Sequence, residues 1–360
     1  MNSRQRVIAA MKRKGPDRVP YDFTFGFTQP AFDEFVRRTG CSDPGDYFEL
    51  DTRTVFTGPG QSHIDYSRYH TSTPVNAFID EWGIGHIPTV STDVHHSHLS
   101  GFVYPLAGSW SVADIAEYPL PDICAPYRHA ELPAEVSRLH QKGLAVCGGL
   151  ECTIFEIAWY MRSMEQLLMD FIDNPEPAEI LLDRIVDLRL AQTRQLVSTG
   201  IDVLRLGDDV ASQRGMIMSV ATWRRWLKPR LAKVIEAARK VNPDILIYYH
   251  SDGNVTAAVP ELIEIGVDIL NPIQPECMDL SSLKKQFGND LSFWGSIGTQ
   301  TTMPFGSVKD VRDEVRRHID DAGAGGGLLL CPTHTIEPEV PWENIVGFVD
   351  ASKELGAYTS

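Results

Sequence analysis

The sequence predicts an α/β fold: a single-domain (β/α)8 barrel of the TIM type carrying an N-terminal helical extension. Three observations lead there. Short apolar, β-prone runs alternate with amphipathic helical segments, the pattern of parallel βα units. Three of those runs, VLRLGDD at 203–209, ILIYYHSDGN at 245–254 and GGGLLLCPTHTI at 325–336, end abruptly in acidic, imidazole or thiol side chains, as strands do when they open onto one shared mouth. Runs near positions 21, 86, 145, 204, 247, 269, 292 and 329 make eight, the number that closes such a barrel.

Asn2 or Ser3 can cap a first helix reaching about Arg13, which Gly15 and Pro16 end. Tyr21 to Phe25 reads as the first strand. Between about 26 and 130 the pattern is least regular, with helical spacing near Pro30 to Thr39 and a turn at Asp80 to Gly83 leading into a strand near Ile84 to Thr89. The run His95-His96-Ser97-His98 reads as a solvated loop rather than a metal site.

From Leu144 the rhythm is regular. Strand LAVCGG ends at Glu151, helices follow over about Ile154–Asp170 and Pro177–Thr199, and strand DVLRL runs into Gly207-Asp208-Asp209. Then come a helical segment over Ala221–Lys240, the strand ILIYYH, a helix over Val255–Glu264, the strand DIL and a helix over Leu280–Gln286. Strand LSFWG, a helix over Val308–Ala322, strand LLLC and a helix over Trp342–Leu355 complete the pattern. Glycines 325 to 327 precede a strand, the wrong side for the usual phosphate cradle, and read as a tight turn.

A chain of 360 residues with 43% apolar and 22% charged residues can bury a large core. Its formal charge of -15 opposes nucleic acid and anionic membranes. The N-terminus lacks the apolar core of a secretory signal, no apolar run is long enough to span a bilayer, and a cytoplasmic location is expected. Six scattered cysteines do not suggest a disulfide framework.

Residues that follow barrel strands converge whatever their distance in sequence. The candidates are therefore Tyr21, Asp22, Glu151, Asp208, Asp209, His250, Asp252, Asn271, Gln274, Cys277, Cys331 and His334. Two imidazoles, two thiols and several carboxylates are ligand types that suit zinc with one position left open. Asp208 and Asp209 would orient a cationic or pyrrole-type nitrogen, hold a metal or simply cap the following segment, with Arg205 and Arg214 near enough in sequence to neutralise them.

These same stretches resemble the uroporphyrinogen decarboxylase superfamily. The motifs are PDRVPYDF at 16–23, GDDVASQRGMIMS at 207–219, YYHSDGNV at 248–255, GVDILNPIQ at 266–274, FWGSIGTQ at 293–300 and GGGLLLCPTHTIEPEVPWENI at 325–345. The resemblance implies a distorted (β/α)8 barrel. Haem-pathway decarboxylases of the superfamily carry an arginine-rich N-terminal motif, whereas PYDFTFGFTQP here has no arginine before Arg37. The chain is thus more similar to the methyltransferase branch, whose coenzyme M members bind zinc through His-x-Cys and a distant Cys. His250 matches, Asp252 stands at the first Cys position, and Cys331 or His334 fills the last.

What the resemblance implies is a zinc-assisted methyltransferase component. It would move a methyl group between a small methylated compound and a corrinoid cofactor on a corrinoid-binding partner protein, and a homodimer is one assembly it could form. Metal would be held by His250 with Asp252, Cys277, Cys331 or His334. Asp208, Asp209, His250 and His334 would serve the chemistry, and Tyr21, Asp22, Glu151, Asn271 and Gln274 would contact substrate. Two alternatives stand beside it: a metal-free decarboxylase (lyase), and a non-catalytic subunit that binds a corrinoid protein.

Overall fold

Seven parallel strands lie side by side in the computed structural model of this chain, which describes residues 1–61, 63–70, 72–88 and 100–357. Their order is Thr52–Val55, Ala145–Glu151, Val203–Gly207, Leu246–His250, Ile269–Asn271, Ser292–Trp294 and Leu328–Leu329. The eighth position is filled by residues 20–22. Leu330 N donates to Pro20 O and Asp22 N to Leu330 O, both at 2.9 Å, while on the other side Asp51 N donates to Tyr21 O at 3.2 Å. Those bonds join the last strand to the first and close the barrel.

The expected strand at Tyr21–Phe25 is therefore a brief pairing segment, and the expected strand near 86 belongs elsewhere. Gly85–Pro88 is extended but pairs antiparallel with Phe78–Ile79 and Ser100–Val103 in a small separate sheet. The barrel takes Thr52–Val55 in its place. The histidine run at 95–98 lies outside the described residues.

Several expected helices are divided. The 154–170 segment is two helices, Phe155–Arg162 and Met164–Asp173, hinged at Ser163 with φ 65. The 221–240 segment is Val220–Trp226 and Lys228–Val241, where a proline in the first turn starts the second helix. Helices Pro175–Ser198, Leu280–Phe287, Val308–His318 and Trp342–Leu355 stand within a few residues of expectation. Among the described residues, no helix is long and apolar enough to cross a membrane.

Strand periodicity sorts the side chains into two cores. Ala145, Cys147, Val203, Leu246, Tyr248, Ile269, Trp294, Leu329 and Cys331 point into the barrel, where Val7, Ala10 and Met11 of the Ser3–Met11 helix plug the floor. Alternate residues such as Leu204, Leu206, Ile247, Tyr249 and Leu270 face the surrounding helices. Both faces of each strand are buried, which explains the near-continuous apolar runs in the sequence.

Candidate active site

The same alternation decides which polar side chains reach the mouth. Tyr248 points inward, so His250 two residues on does as well; Ile269 carries the same parity to Asn271, and these two pair across neighbouring strands. His250 Nδ1 meets Asn271 Oδ1 at 2.7 Å, and Asn271 Nδ2 donates to Trp294 O at 2.7 Å. Because the amide nitrogen is committed to a carbonyl, its oxygen must accept from Nδ1–H. His250 Nε2 is thereby left with its lone pair facing the mouth.

Around that nitrogen, His250, Asp252 and His334 bring one ligand atom each to within 4.8 Å of one another. His250 Nε2 is 3.8 Å from Asp252 Oδ1 and 3.7 Å from Asp209 Oδ1. Phe25 braces both imidazoles: its ring stacks on His334 at 5.0 Å and meets His250 edge-on at 4.8 Å. Asp252 is aimed by its backbone, since its N–H donates to Asp209 Oδ1 at 2.7 Å and the next amide, Gly253 N, donates to Gln274 Oε1 at 3.0 Å. Gln274 thus acts through the loop.

Asp208 and Asp209 part company. Asp209 continues toward the mouth, where burial, reinforced by Asp252 and opposed by His250, raises its pKa. Asp208 turns outward and accepts from the backbone amides of Ile154 and Glu156, both at 3.0 Å, capping the helix that begins at Phe155. Burial pushes its carboxyl up to about 6 against those bonds. Glu156, which the sequence reading did not single out, joins this group: it accepts from Asp209 N at 3.1 Å and from Tyr160 Oη at 2.9 Å. Burial and the two aspartates raise its pKa well above the carboxylate range. Its signal in the sequence is slight, one acidic residue within the apolar helix FEIAWYMR.

Beyond Phe25 lies a cavity of about 540 Å³ lined by Asp22, Thr54, Phe56, Glu151 and Arg205 among others. Arg205 pairs with Glu151, not with the aspartates after its own strand, and also donates to Thr54 Oγ1 at 2.8 Å. Its guanidinium rests 5.0 Å from the centre of the Phe25 ring. Asp22 is buried and accepts from Thr52 and Thr24, and burial raises its pKa.

Tyr21, Cys331 and Cys277 also lie apart from the imidazoles. Tyr21 is fully buried and donates to Phe48 O at 2.9 Å. Cys331 faces the barrel interior, with Sγ 3.1 Å from Thr24 Oγ1, and burial pushes its thiol up to about 12. Cys277 lines a different cavity, with His318 and Ser296.

The His250, Asp252 and His334 group fits a zinc ion. Zinc with ligands at ~2.1 Å in a tetrahedron spaces its donors about 3.4 Å apart; His250 and Asp252 are 3.8 Å apart and the three donor atoms lie within 4.8 Å of one another, so the side chains would close in on a bound ion. Two nitrogens and a carboxylate oxygen are an established catalytic donor set, and the Asn271 bond supplies the tautomer that a metal requires.

The family model for uroporphyrinogen decarboxylase (URO-D) matches residues 108–355. The chain is 23% identical to the methylcobamide:CoM methyltransferase MtaA of Methanosarcina barkeri strain Fusaro over 98% of each sequence. It is 22% identical to the uroporphyrinogen decarboxylase of Pseudomonas syringae pv. tomato, over 69% of this chain and 70% of that one. Among solved structures, a methyltransferase from Methanosarcina mazei superposes with a TM-score of 0.70 at 18% identity, covering 98% of this chain and 99% of the other. That likeness is one of fold.

Proposed function

The chain belongs to the uroporphyrinogen decarboxylase (URO-D) family, and from that premise we propose that it is a methyltransferase. On this reading it moves a methyl group between a small methylated compound and a corrinoid carried by a partner protein. The observation that carries the reading is the meeting of His250, Asp252 and His334 at the barrel mouth. A zinc ion held there would serve as a Lewis acid toward the heteroatom that loses or gains the methyl group.

The chain's own residues set the conditions for that chemistry. Asn271 fixes the His250 tautomer, Phe25 holds the two imidazoles in place, and Asp209 stands 3.7 Å from His250 Nε2, where it can hold a proton for the reacting heteroatom. By the motif resemblance, Asp252 stands at the first cysteine position of the coenzyme M branch. A harder oxygen donor favours an oxygen or nitrogen substrate atom over a thiol, so a methoxylated compound or a methylamine fits better than a methylated thiol.

Decarboxylation of a polycarboxylate fits less well. Such a substrate needs cations at the mouth, and the buried Arg205 is already paired with Glu151 beside Asp22.

The test is elemental analysis of protein purified without chelator, together with methyl transfer from candidate methyl donors to reduced free cobalamin, for the parent and for His250→Ala and His334→Ala. The expected result is about one zinc per chain and transfer in the parent, with both lost in each variant. Full turnover in His250→Ala would overturn the reading.

A further inference from the structure

At the opposite end of the barrel from the mouth, a cavity of about 440 Å³ is lined by Lys12, Arg13, Lys284, Gly288, Asn289 and residues 324–326. Among the described residues its lining holds three cations and no carboxylate, on a chain whose net charge is -15. Lys12 pairs with Asp244 at 3.1 Å. Among the described residues Arg13 and Lys284 have no such partner: Arg13 donates to Ser292 Oγ at 3.0 Å and Lys284 to Gly326 O at 2.8 Å. Asp268, the carboxylate whose field reaches Arg13, is held by Arg239 at 3.0 Å.

Two half-buried cations are thus left facing one another, and burial together with Arg13 lowers the pKa of Lys284. The surroundings make room for this arrangement. A Cβ on Gly327 would come within 2.9 Å of Lys284 Nζ, and one on Gly288 within 2.7 Å of Lys284 Cδ. Arg13 is itself held at φ 56, just past the end of the Ser3–Met11 helix, a position where glycine is usual. The backbone amides of Gly326 and Gly327 are taken by Gly323 O and Ala10 O, so the recognition falls to side chains.

We propose that Arg13 and Lys284, with Lys12 at the rim, form a binding site for the phosphate group of a small molecule or for free phosphate. A guanidinium and an ammonium converging in a cavity whose lining holds no carboxylate are matched to a dianionic oxyanion, which the guanidinium can grip through two parallel bonds. Nucleic acid is disfavoured by the charge of the whole chain. The bound anion would tie together three pieces: the end of the floor-plugging helix, the Leu280–Phe287 helix, and the turn that leads into the last barrel strand. Because it binds only the folded chain, it would stabilise the fold by mass action.

The experiment titrates the full-length protein with inorganic phosphate and, separately, with glycerol 3-phosphate, at constant ionic strength maintained with chloride. Calorimetry gives Kd and thermal unfolding gives Tm. The expected result is saturable binding and a rising Tm in the parent, with affinity reduced about tenfold or more in Lys284→Met and in Arg13→Gly. The glycine variant removes the cation while suiting the left-handed backbone, so it decides the matter if Lys284→Met does not fold. Tighter binding of the ester identifies the ligand as a phosphorylated metabolite, and tighter binding of the inorganic ion identifies free phosphate. A response to both anions no larger than that to chloride, or full binding retained in Arg13→Gly, would overturn the proposal.

Discussion

Asn271 Oδ1 stands 2.7 Å from His250 Nδ1, and this one contact determines which imidazole nitrogen faces the barrel mouth. Outer partners of this kind govern metal affinity without touching the metal. On the proposed reading, Asn271→Ala is expected to weaken zinc binding by roughly tenfold to a hundredfold, measured by competition with a chromophoric chelator. Unchanged affinity would mean that the tautomer is set by something else.

Cys331 offers a contrast. Its thiol, buried against Thr24 and raised to about 12, is expected to resist alkylation at pH 8 in the native protein, and on the proposed reading Cys331→Ala is expected to bind zinc as the parent does. Peptide mass spectrometry after iodoacetamide treatment, alongside elemental analysis, checks both. Loss of metal in the alanine variant would place the sulfur in the coordination shell after all.

Asp208 predicts a pH signature. Its pKa is higher folded, at about 6, than the ordinary 3.8. The folded state therefore holds the proton more tightly, and the stabilisation from protonation is complete below about pH 4 and lost as pH rises through about 6. Urea unfolding midpoints of the parent and of Asp208→Asn should differ with a slope confined to that window. Parallel profiles would show that Asp208 titrates normally.

Gly253 tests how rigidly Asp252 is held. It lies at φ 81, and a Cβ there would come within 2.6 Å of the Ser212 carbonyl. Gly253→Ala should cost more than about 1 kcal/mol in chemical unfolding and should weaken zinc binding by displacing the neighbouring carboxylate. A variant with parental stability and affinity would show that the loop adapts.

Much of this was legible in the sequence, for physical reasons. His250, Asp252 and His334 could be picked out because each follows an apolar run whose ending marks the barrel mouth. Period-two alternation separates Asp209 from Asp208, but only once the strand's inward residues are known, and the sequence does not say which set faces in. Thr52–Val55 escaped notice because TRTV is short and carries an arginine, while Gly85–Pro88 has a strand's local preferences and gives no hint of its pairing partner. Glu156 was invisible for a related cause: what raises its pKa is burial in the folded barrel, with Asp209 and Asp208, some fifty positions away, adding to it.

The closure between residues 20–22 and Leu330 bears on how the molecule is made. The floor helix and the pairing segment are synthesised before every barrel strand, yet the carbonyl and amide that the segment must bind belong to the last of those strands to appear. Until then the growing chain carries an open sheet with two bare edges, at residues 20–22 and at the newest strand, each able to recruit a stray strand. Completion of the 328–330 stretch is the moment at which both edges vanish together, so truncations just before it should leave a chain prone to association, whatever the fate of its active site.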